Sequence, residues 1–153
     1  MNVEGSQVTL SNLEIAERQI ERSIELFLEK KDYVSALTLA GAAEEILGKL
    51  LKDQGKKHWL EEITGAALKA LGYRKSELET PPAAQAKKEI VEIANRSRNS
   101  MKHYNKDGSI TLKIDVEAAN MIDRAISNYW ELTQRETGAM GRFNELVLME
   151  GEA

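Results

Sequence analysis

The sequence predicts an all-α protein, an up-and-down bundle of four to five helices. Apolar residues return every three or four positions through most of the chain, as they do along the buried side of an amphipathic helix. Short polar turns separate these runs, which is typical of antiparallel neighbours in a bundle. With 153 residues, 42% of them hydrophobic and 30% charged, the chain is long enough to bury one real core.

Three segments are predicted. Residues 1–10 have no helical period and are expected to form a flexible arm, residues 11–135 form a single helical domain, and residues 136–153 form a tail or one more short helix. The first helix is predicted to begin at Ser11, because Ser11 and Glu14 have the spacing of a capping box. No repeat or linker indicates a second domain.

The second helix is predicted to begin after Asp32, a good N-cap residue, and to run to about Asp53, closed by Gly55. A glycine within a helix costs about 1 kcal/mol relative to alanine. Gly41 and Gly48 therefore predict that a neighbouring backbone approaches this helix closely. The helix is rich in small residues: Ser35, Ala36, Ala40, Gly41, Ala42, Ala43 and Gly48.

Two adjacent carboxylates on this helix have different predicted environments. Glu44 falls on the packed side, where a carboxylate needs a partner, and a cation from the fourth helix is expected to supply it, Arg98 first and Arg96 second. The alternative is that Glu44 lies at the edge of the apolar stripe and reaches water. Glu45 points outward with Lys49, as an ordinary i, i+4 pair.

A third, shorter helix is predicted for residues 58–71. Helical spacing places four apolar residues on its inner face: Leu60, Ile63, Ala67 and Leu71.

The fourth helix begins after Thr80, since threonine caps a helix and the two prolines that follow suit its first turn. It is predicted to end near His103 or Tyr104. Residues 110–114 alternate apolar and polar side chains, which predicts a short extended piece. Asp115 is then expected to cap a fifth helix.

The end of the fourth helix carries most of the chemistry. Residues 93–106 contain four basic side chains and no acid, in a chain of net charge −4. At about 100° per residue, Arg96, Asn99 and His103 lie on the outer side, and Arg98 lies about 140° from His103. To act together with His103, Arg98 would have to reach around its own helix or come from a second chain. The opposite side is the predicted buried stripe: Ile90, Ala94, Ser97, Met101 and Tyr104.

Composition excludes several classes of protein. The chain has no cysteine and only two histidines, far apart in sequence, so no metal site and no cofactor are predicted. The longest uncharged run, residues 33–43, is far short of the ~20 residues of a membrane span, and no secretory signal is visible. A cytoplasmic protein is therefore expected. The acidic balance argues against nucleic-acid binding over the whole surface but leaves room for one basic patch.

The motif of Arg98, Asn99 and His103 resembles that of the HEPN superfamily of small helical domains. Its signature is Arg, four to six residues, then His, often with a polar residue directly after the Arg. Arg98 has four residues before His103 and Arg96 has six, so both fit, and Asn99 favours Arg98. The Ala-Ala-Glu-Glu-Ile-Leu run at residues 42–47 is also similar to the family. The resemblance extends from about residue 13 to residue 132.

The resemblance implies a bundle that forms a homodimer across a two-fold axis and brings two copies of the motif to one cleft. Active members are metal-independent endoribonucleases of toxin or defence type, which cleave RNA by transesterification. His103 would then transfer protons, Arg98 would hold the phosphate oxygens, and Asn99 would orient the imidazole or bind the phosphate. The supporting residues are Glu44, Arg96 and Lys102.

Other functions stay open at this point. HEPN members that have lost catalysis bind nucleotides or regulate a cognate nucleotidyltransferase or antitoxin in toxin–antitoxin pairs. A plain dimeric adaptor bundle is a third class. The basic helix end also has a simple structural explanation, because Lys102 and His103 complement the negative end of the helix dipole.

Overall fold

Residues 4–148 are described by a computed structural model, and within this range the chain is all-helical, with no strand. The described part of the chain forms six α-helices: α1 (Asn12–Glu25), α2 (Tyr33–Asp53), α3 (Trp59–Ala70), α4 (Pro81–Lys102), α5 (Ile114–Thr133) and α6 (Gly138–Phe143). Wider π-type turns extend α1 over Leu26–Lys30 and α6 over Asn144–Leu148, and a short 3₁₀ turn (Lys75–Glu77) precedes α4. The predicted all-α helical bundle is confirmed.

The caps predicted for the first two helices form. Ser11 Oγ accepts the Glu14 amide at 3.1 Å, and Glu14 Oε2 accepts the Ser11 amide at 2.7 Å. Lys31 adopts a left-handed conformation (φ 55°) that ends the first helical run, and Asp32 Oδ1 caps α2 by accepting the Ser35 amide at 3.1 Å. The two-residue link reverses the chain, so α1 and α2 pack as antiparallel neighbours.

The hydrophobic core is built by α1, α2, α5 and α6. Glu44 contacts Arg124, and four residues later Gly48 lies near Asn128, so α2 and α5 run in the same direction. The buried core cluster is Ala16, Ile20, Ile24, Phe27, Ala36, Leu37, Ala40, Ala43, Leu47, Ala118, Met121, Ile122, Ala125, Ile126, Tyr129, Met140 and Phe143. None of these residues belongs to α3 or α4.

The pair α3–α4 lies beside this core. On α4 the buried residues are Ala83, Asn95 and Ser97, all small or polar. The inner face predicted for α3 is partly wrong, because Ile63 and Leu71 are exposed. The residues that α3 buries are Thr64 and Leu68. Leu68 is buried and Met101 of α4 packs partly buried against the core. Polar contacts add to this limited apolar packing in holding the pair in place.

The extended piece predicted for residues 110–114 is wrong at its last residue. Residues 110–113 form no strand, and Ile114 is already helical. Lys113 is therefore the N-cap residue, and the predicted cap Asp115 falls inside the first turn, where its charge complements the helix dipole. Ile114 packs against the core, which explains why the helix starts earlier than its polar signals indicate.

The two ends of the chain are a predicted flexible arm and a predicted tail or short helix. Residues 4–10 of the predicted arm are non-helical and exposed, and residues 1–3 and 149–153 lie outside the described residues. The tail does form a short helix, α6, whose Phe143 ring meets Phe27 edge-on at 5.6 Å between centroids. The core thus continues beyond residue 135. No helix within residues 4–148 is long and apolar enough to cross a membrane.

Candidate functional site

The last turns of α4 present the predicted polar ridge to solvent. Arg96 and Asn99 are exposed on the helix, and His103, also exposed, is the first residue after it. The His103 amide still donates to the Asn99 carbonyl at 3.0 Å, while its own backbone is extended (φ −124°, ψ 151°). Helix and cap together place all three side chains on one side of the molecule.

These side chains line a groove of about 550 Å³, which we call the motif groove. Arg96 and Lys106 supply its cations, and neither forms an ion pair within residues 4–148. Glu92 is the one acid among its lining residues. The groove is lined by Glu92, Ile93, Arg96, Asn99, Ser100, His103, Tyr104, Asn105 and Lys106.

Tyr104 was predicted to continue the buried stripe, and this prediction is wrong. Its side chain is 90% exposed. The helical period holds only as far as Lys102, and the extended backbone of His103 turns Tyr104 away from the stripe. Ile93, at 75% exposure, is a second large apolar side chain on this surface. The motif groove therefore combines free cations with exposed aromatic and aliphatic groups.

Arg98, the arginine favoured by the motif, points into the protein. Its guanidinium donates from Nη1 to Glu44 Oε2 at 2.7 Å, and its side chain is only 13% exposed. The contact predicted between Glu44 and Arg98 is thus confirmed, whereas Arg96, the second choice, is exposed and does not contact Glu44. Held in this way, Arg98 is not directed at the motif groove, which it does not line.

Gly41 explains how the Arg98 side chain fits against α2. A Cβ at position 41 would lie 2.6 Å from Arg98 Cγ and 3.0 Å from Cδ. The close approach predicted from the helix glycines is therefore made by a side chain, not by a backbone. Gly48 likewise faces a side chain, that of His58. These contacts lie within one chain, so the glycines by themselves do not indicate a dimer interface.

A second arginine, Arg124 of α5, completes the buried network. Its Nη2 donates to Glu44 Oε1 and to Asn95 Oδ1, both at 2.9 Å, and its Nη1 donates to the Ala94 carbonyl at 2.7 Å. The guanidinium also lies 4.8 Å from the ring centroid of Trp59, in cation–π contact. Glu44 and Arg124 are 3% and 4% exposed. One carboxylate thus joins α2, α4 and α5.

Sequence reasoning missed Arg124. A signal was present, since Arg124 is three residues after Met121 and four before Asn128, both on the packed face of α5. A charged residue at such a position requires a partner, as Glu44 did.

Lys102 forms a second, more exposed contact between α4 and α2. Lys102 Nζ donates to Glu45 Oε2 at 2.7 Å, and the predicted i, i+4 partner Lys49 donates to Oε1 at 3.2 Å. The hydrogen bond from Lys102, followed by that from Lys49, lowers the pKa of Glu45 to about 2. Two of the four basic residues near the motif are therefore paired with carboxylates of α2, whereas Arg96 and Lys106 form no ion pair within residues 4–148.

No match to this chain is found among models of protein families, curated proteins or solved structures. Within residues 4–148, no group of three or more histidines and carboxylates is placed to hold a metal ion. The arrangement of the motif groove is thus the main guide to function.

Proposed function

We propose that this protein is an RNA-binding helical bundle of HEPN type that cleaves RNA without a metal ion, with His103 transferring protons and Arg96 holding the phosphate. One observation supports this most: Arg96, Asn99 and His103 line one open groove, while Arg98 is held by Glu44. The proposal therefore assigns the motif to the spacing of six residues. Arg98 becomes a positioning residue that fixes α4 on α2.

The groove suits a nucleotide chain. Arg96 and Lys106 are available to bind phosphate oxygens, and a guanidinium can grip two oxygens at once. Tyr104, 90% exposed beside His103, offers a face on which an unpaired base can stack. Asn99 supplies an amide that donates to the phosphate or orients the imidazole. The net charge of −4 makes binding of RNA over the whole surface unfavourable and favours binding at a local basic site.

Cleavage by transesterification needs two proton transfers. A base removes the proton from a 2′-hydroxyl, whose oxygen attacks the adjacent phosphorus, and an acid protonates the 5′ oxygen as its bond to phosphorus breaks. The products are a cyclic 2′,3′-phosphate and a 5′-hydroxyl end. Imidazoles titrate near neutral pH and perform either transfer. Guanidinium contacts stabilise the extra negative charge of the phosphorane.

A homodimer would bring two His103 side chains to one cleft, one as base and one as acid. Exposed apolar residues beside Arg96 support such pairing, since Ile93 is 75% exposed and Val116 is exposed as well. An isologous contact across a two-fold axis buries the same patch twice. We expect a dimeric mass by sedimentation at micromolar concentration and a monomeric mass for Ile93→Asp. A monomeric wild type would contradict the paired site.

The catalytic proposal is tested on single-stranded RNA in the presence of EDTA. Wild type is expected to cleave and to leave cyclic phosphate ends. His103→Ala is expected to lose cleavage while keeping the wild-type melting temperature, because the His103 side chain is exposed. Arg96→Lys should lose most activity, since an ammonium keeps the charge but not the two-point grip. Lys87→Ala, an exposed charge earlier on α4, is the matched control and should remain active.

The outcome also assigns the motif arginine. If Arg98→Lys abolishes cleavage without loss of stability while Arg96→Lys stays active, the spacing of four residues is correct. Cleavage that persists in His103→Ala would exclude His103 as the catalytic group.

A second function, regulation without catalysis, is favoured by the burial of Arg98. If the family mechanism requires that arginine at the substrate, this chain would bind RNA, a nucleotide or a cognate nucleotidyltransferase at the motif groove without cleaving. Binding of single-stranded RNA that is weakened by Tyr104→Ala, with no cleavage of any RNA by wild type, would select this function.

A further inference from the structure

A second groove lies between α3, α5 and the segment after α6, with a volume of about 530 Å³. Its lining shares no residue with the motif groove. We call it the tryptophan groove and define it by six residues: Trp59, Glu62, Asp123, Trp130, Glu131 and Glu136. The function proposed above makes no use of it.

The groove has apolar walls made of two indole rings. Trp130 stands on α5, one turn beyond Ile126, and is 46% exposed. Trp59, the first residue of α3, is held in place because its amide donates to Asn128 Oδ1 at 2.8 Å and Arg124 lies against its ring. The position of Trp59 is therefore fixed by the buried network. A preformed pair of aromatic walls is a feature of binding surfaces.

The groove also carries carboxylates that have no internal counter-ion. Within residues 4–148, Glu62, Asp123 and Glu131 form no ion pair, and Glu136 accepts only the neutral amide of Asn144, at 2.8 Å. Burial raises the pKa of the Asp123 carboxyl. A cation entering the groove would gain from all four groups.

Nearby cations do not cancel this charge. Arg135 lines the groove, and Lys56 donates to the backbone carbonyl of Glu131 at 3.4 Å, not to its carboxylate. Arg124, behind Trp59, is already paired with Glu44. Four carboxylates against the lining Arg135 and the nearby Lys56 leave the groove with a net negative charge.

We propose that the tryptophan groove is a docking surface for a basic segment of another protein, with a lysine or arginine side chain of that segment placed along the indoles of Trp59 and Trp130. The aliphatic stem of such a side chain packs on an aromatic face, and its charged end meets the carboxylates. Charge complementarity decides the class of partner, because the same carboxylates repel RNA. The motif groove would thus serve an anionic partner and the tryptophan groove a cationic one.

Tryptophan fluorescence tests this directly, because the two groove tryptophans are the only two in the sequence. The probe is a short synthetic peptide of alternating lysine and alanine with one central leucine, and the control peptide has glutamate in place of lysine. The lysine peptide is expected to change the emission in a saturable manner that added salt reverses. The glutamate peptide should cause no change.

Variants locate the site. Asp123→Asn combined with Glu131→Gln is expected to weaken binding of the lysine peptide about tenfold or more, because it removes two of the negative charges that attract the lysines. Trp130→Ala, monitored by Trp59, should weaken it similarly. Glu21→Gln combined with Glu4→Gln removes the same charge from exposed positions elsewhere and should leave the affinity unchanged.

Several results would overturn the proposal. They are the absence of any emission change at millimolar lysine peptide, equal weakening by the control variant, and binding of the glutamate peptide. Conversion of a wild-type oligomer to monomer by Trp130→Ala would also overturn it, since the occupant would then be a second copy of this chain. This proposal and the function proposed for the motif groove are tested independently, because His103→Ala is expected to abolish RNA cleavage and to leave peptide binding unchanged.

Discussion

A single carboxylate determines the role of the basic residues near the motif. Glu44 accepts one hydrogen bond from Arg98 and one from Arg124, on different oxygens. Two guanidinium groups around one carboxylate leave a net positive charge, and Arg124 donates further to the Ala94 backbone carbonyl and to the side-chain amide oxygen of Asn95. Nη1 of Arg98 and both Nη atoms of Arg124 are paired, whereas the buried Nε atoms of both arginines have no hydrogen-bond partner within residues 4–148, so the ion pairs with Glu44 are what offset the burial of these charges. Arg98 therefore stabilises the fold through its contact with Glu44 and does not need a ligand as its partner.

Glu44→Ala should be far more damaging than Glu45→Ala. Removing one partner of a buried pair leaves an uncompensated charge and costs ~3–5 kcal/mol, whereas an exposed pair contributes ~0–1 kcal/mol. Urea unfolding of both variants measures the difference. Equal free energies of unfolding would contradict the assignment of Glu44 as the centre of the buried network.

At the scale of elements, α4 is held on α2 by two salt bridges, and a glycine of α2 leaves room for one of the side chains that form them. Arg98 and Lys102, one turn apart, reach Glu44 and Glu45. Arg124 binds the α4 backbone from the other side. Gly41 leaves room for the stem of Arg98. The exposed ridge of α4 is thus oriented by contacts on its opposite side.

Gly41→Ala is expected to be less stable than Gly65→Ala by about 1–3 kcal/mol, the usual cost of overpacking. Both changes improve helix propensity, but a methyl at position 41 meets Arg98, while position 65 on α3 has nothing within 4 Å. Thermal unfolding compares the pair, with Gly65→Ala expected at or above wild type. A stabilised Gly41→Ala would show that Arg98 does not pack there.

At the scale of the whole molecule, the protein has two parts of unequal packing. The core is formed by α1, α2, α5 and α6, and α3–α4 contributes nothing to its buried cluster. The motif groove lies at the end of α4, and the tryptophan groove lies where α3 meets α5 of the core. Local opening requires less free energy where few apolar contacts are lost.

Hydrogen exchange should therefore be faster in α3 and α4 than in α2 and α5. Glu44→Ala removes the partner of Arg98 and should therefore raise the exchange rate further in α4, while the exchange rate in α1 should stay close to that of wild type. Native-state exchange followed by mass spectrometry measures each helix. Uniform protection across the helices, or an equal change in α1, would show that α3–α4 opens only with the whole fold.

The sequence by itself determined the all-α class, the capping box at Ser11, the extent of α2 and the outward position of Arg96, Asn99 and His103. These features follow from local rules, since a cap or a helical period involves residues within one or two turns. The contact of Glu44 with Arg98 was also predicted, because a charge on a packed face leaves few alternatives.

Tertiary structure decided the rest. Whether Arg98 faces a substrate or a carboxylate depends on Gly41 and Glu44, more than fifty residues away, and Arg124 enters from a third helix. Tyr104 left its predicted face because the helix ended two residues earlier. Helical periodicity indicates which side chains face inward, as it did for Glu44, but the distant side chain that each of them meets is decided by how the helices pack.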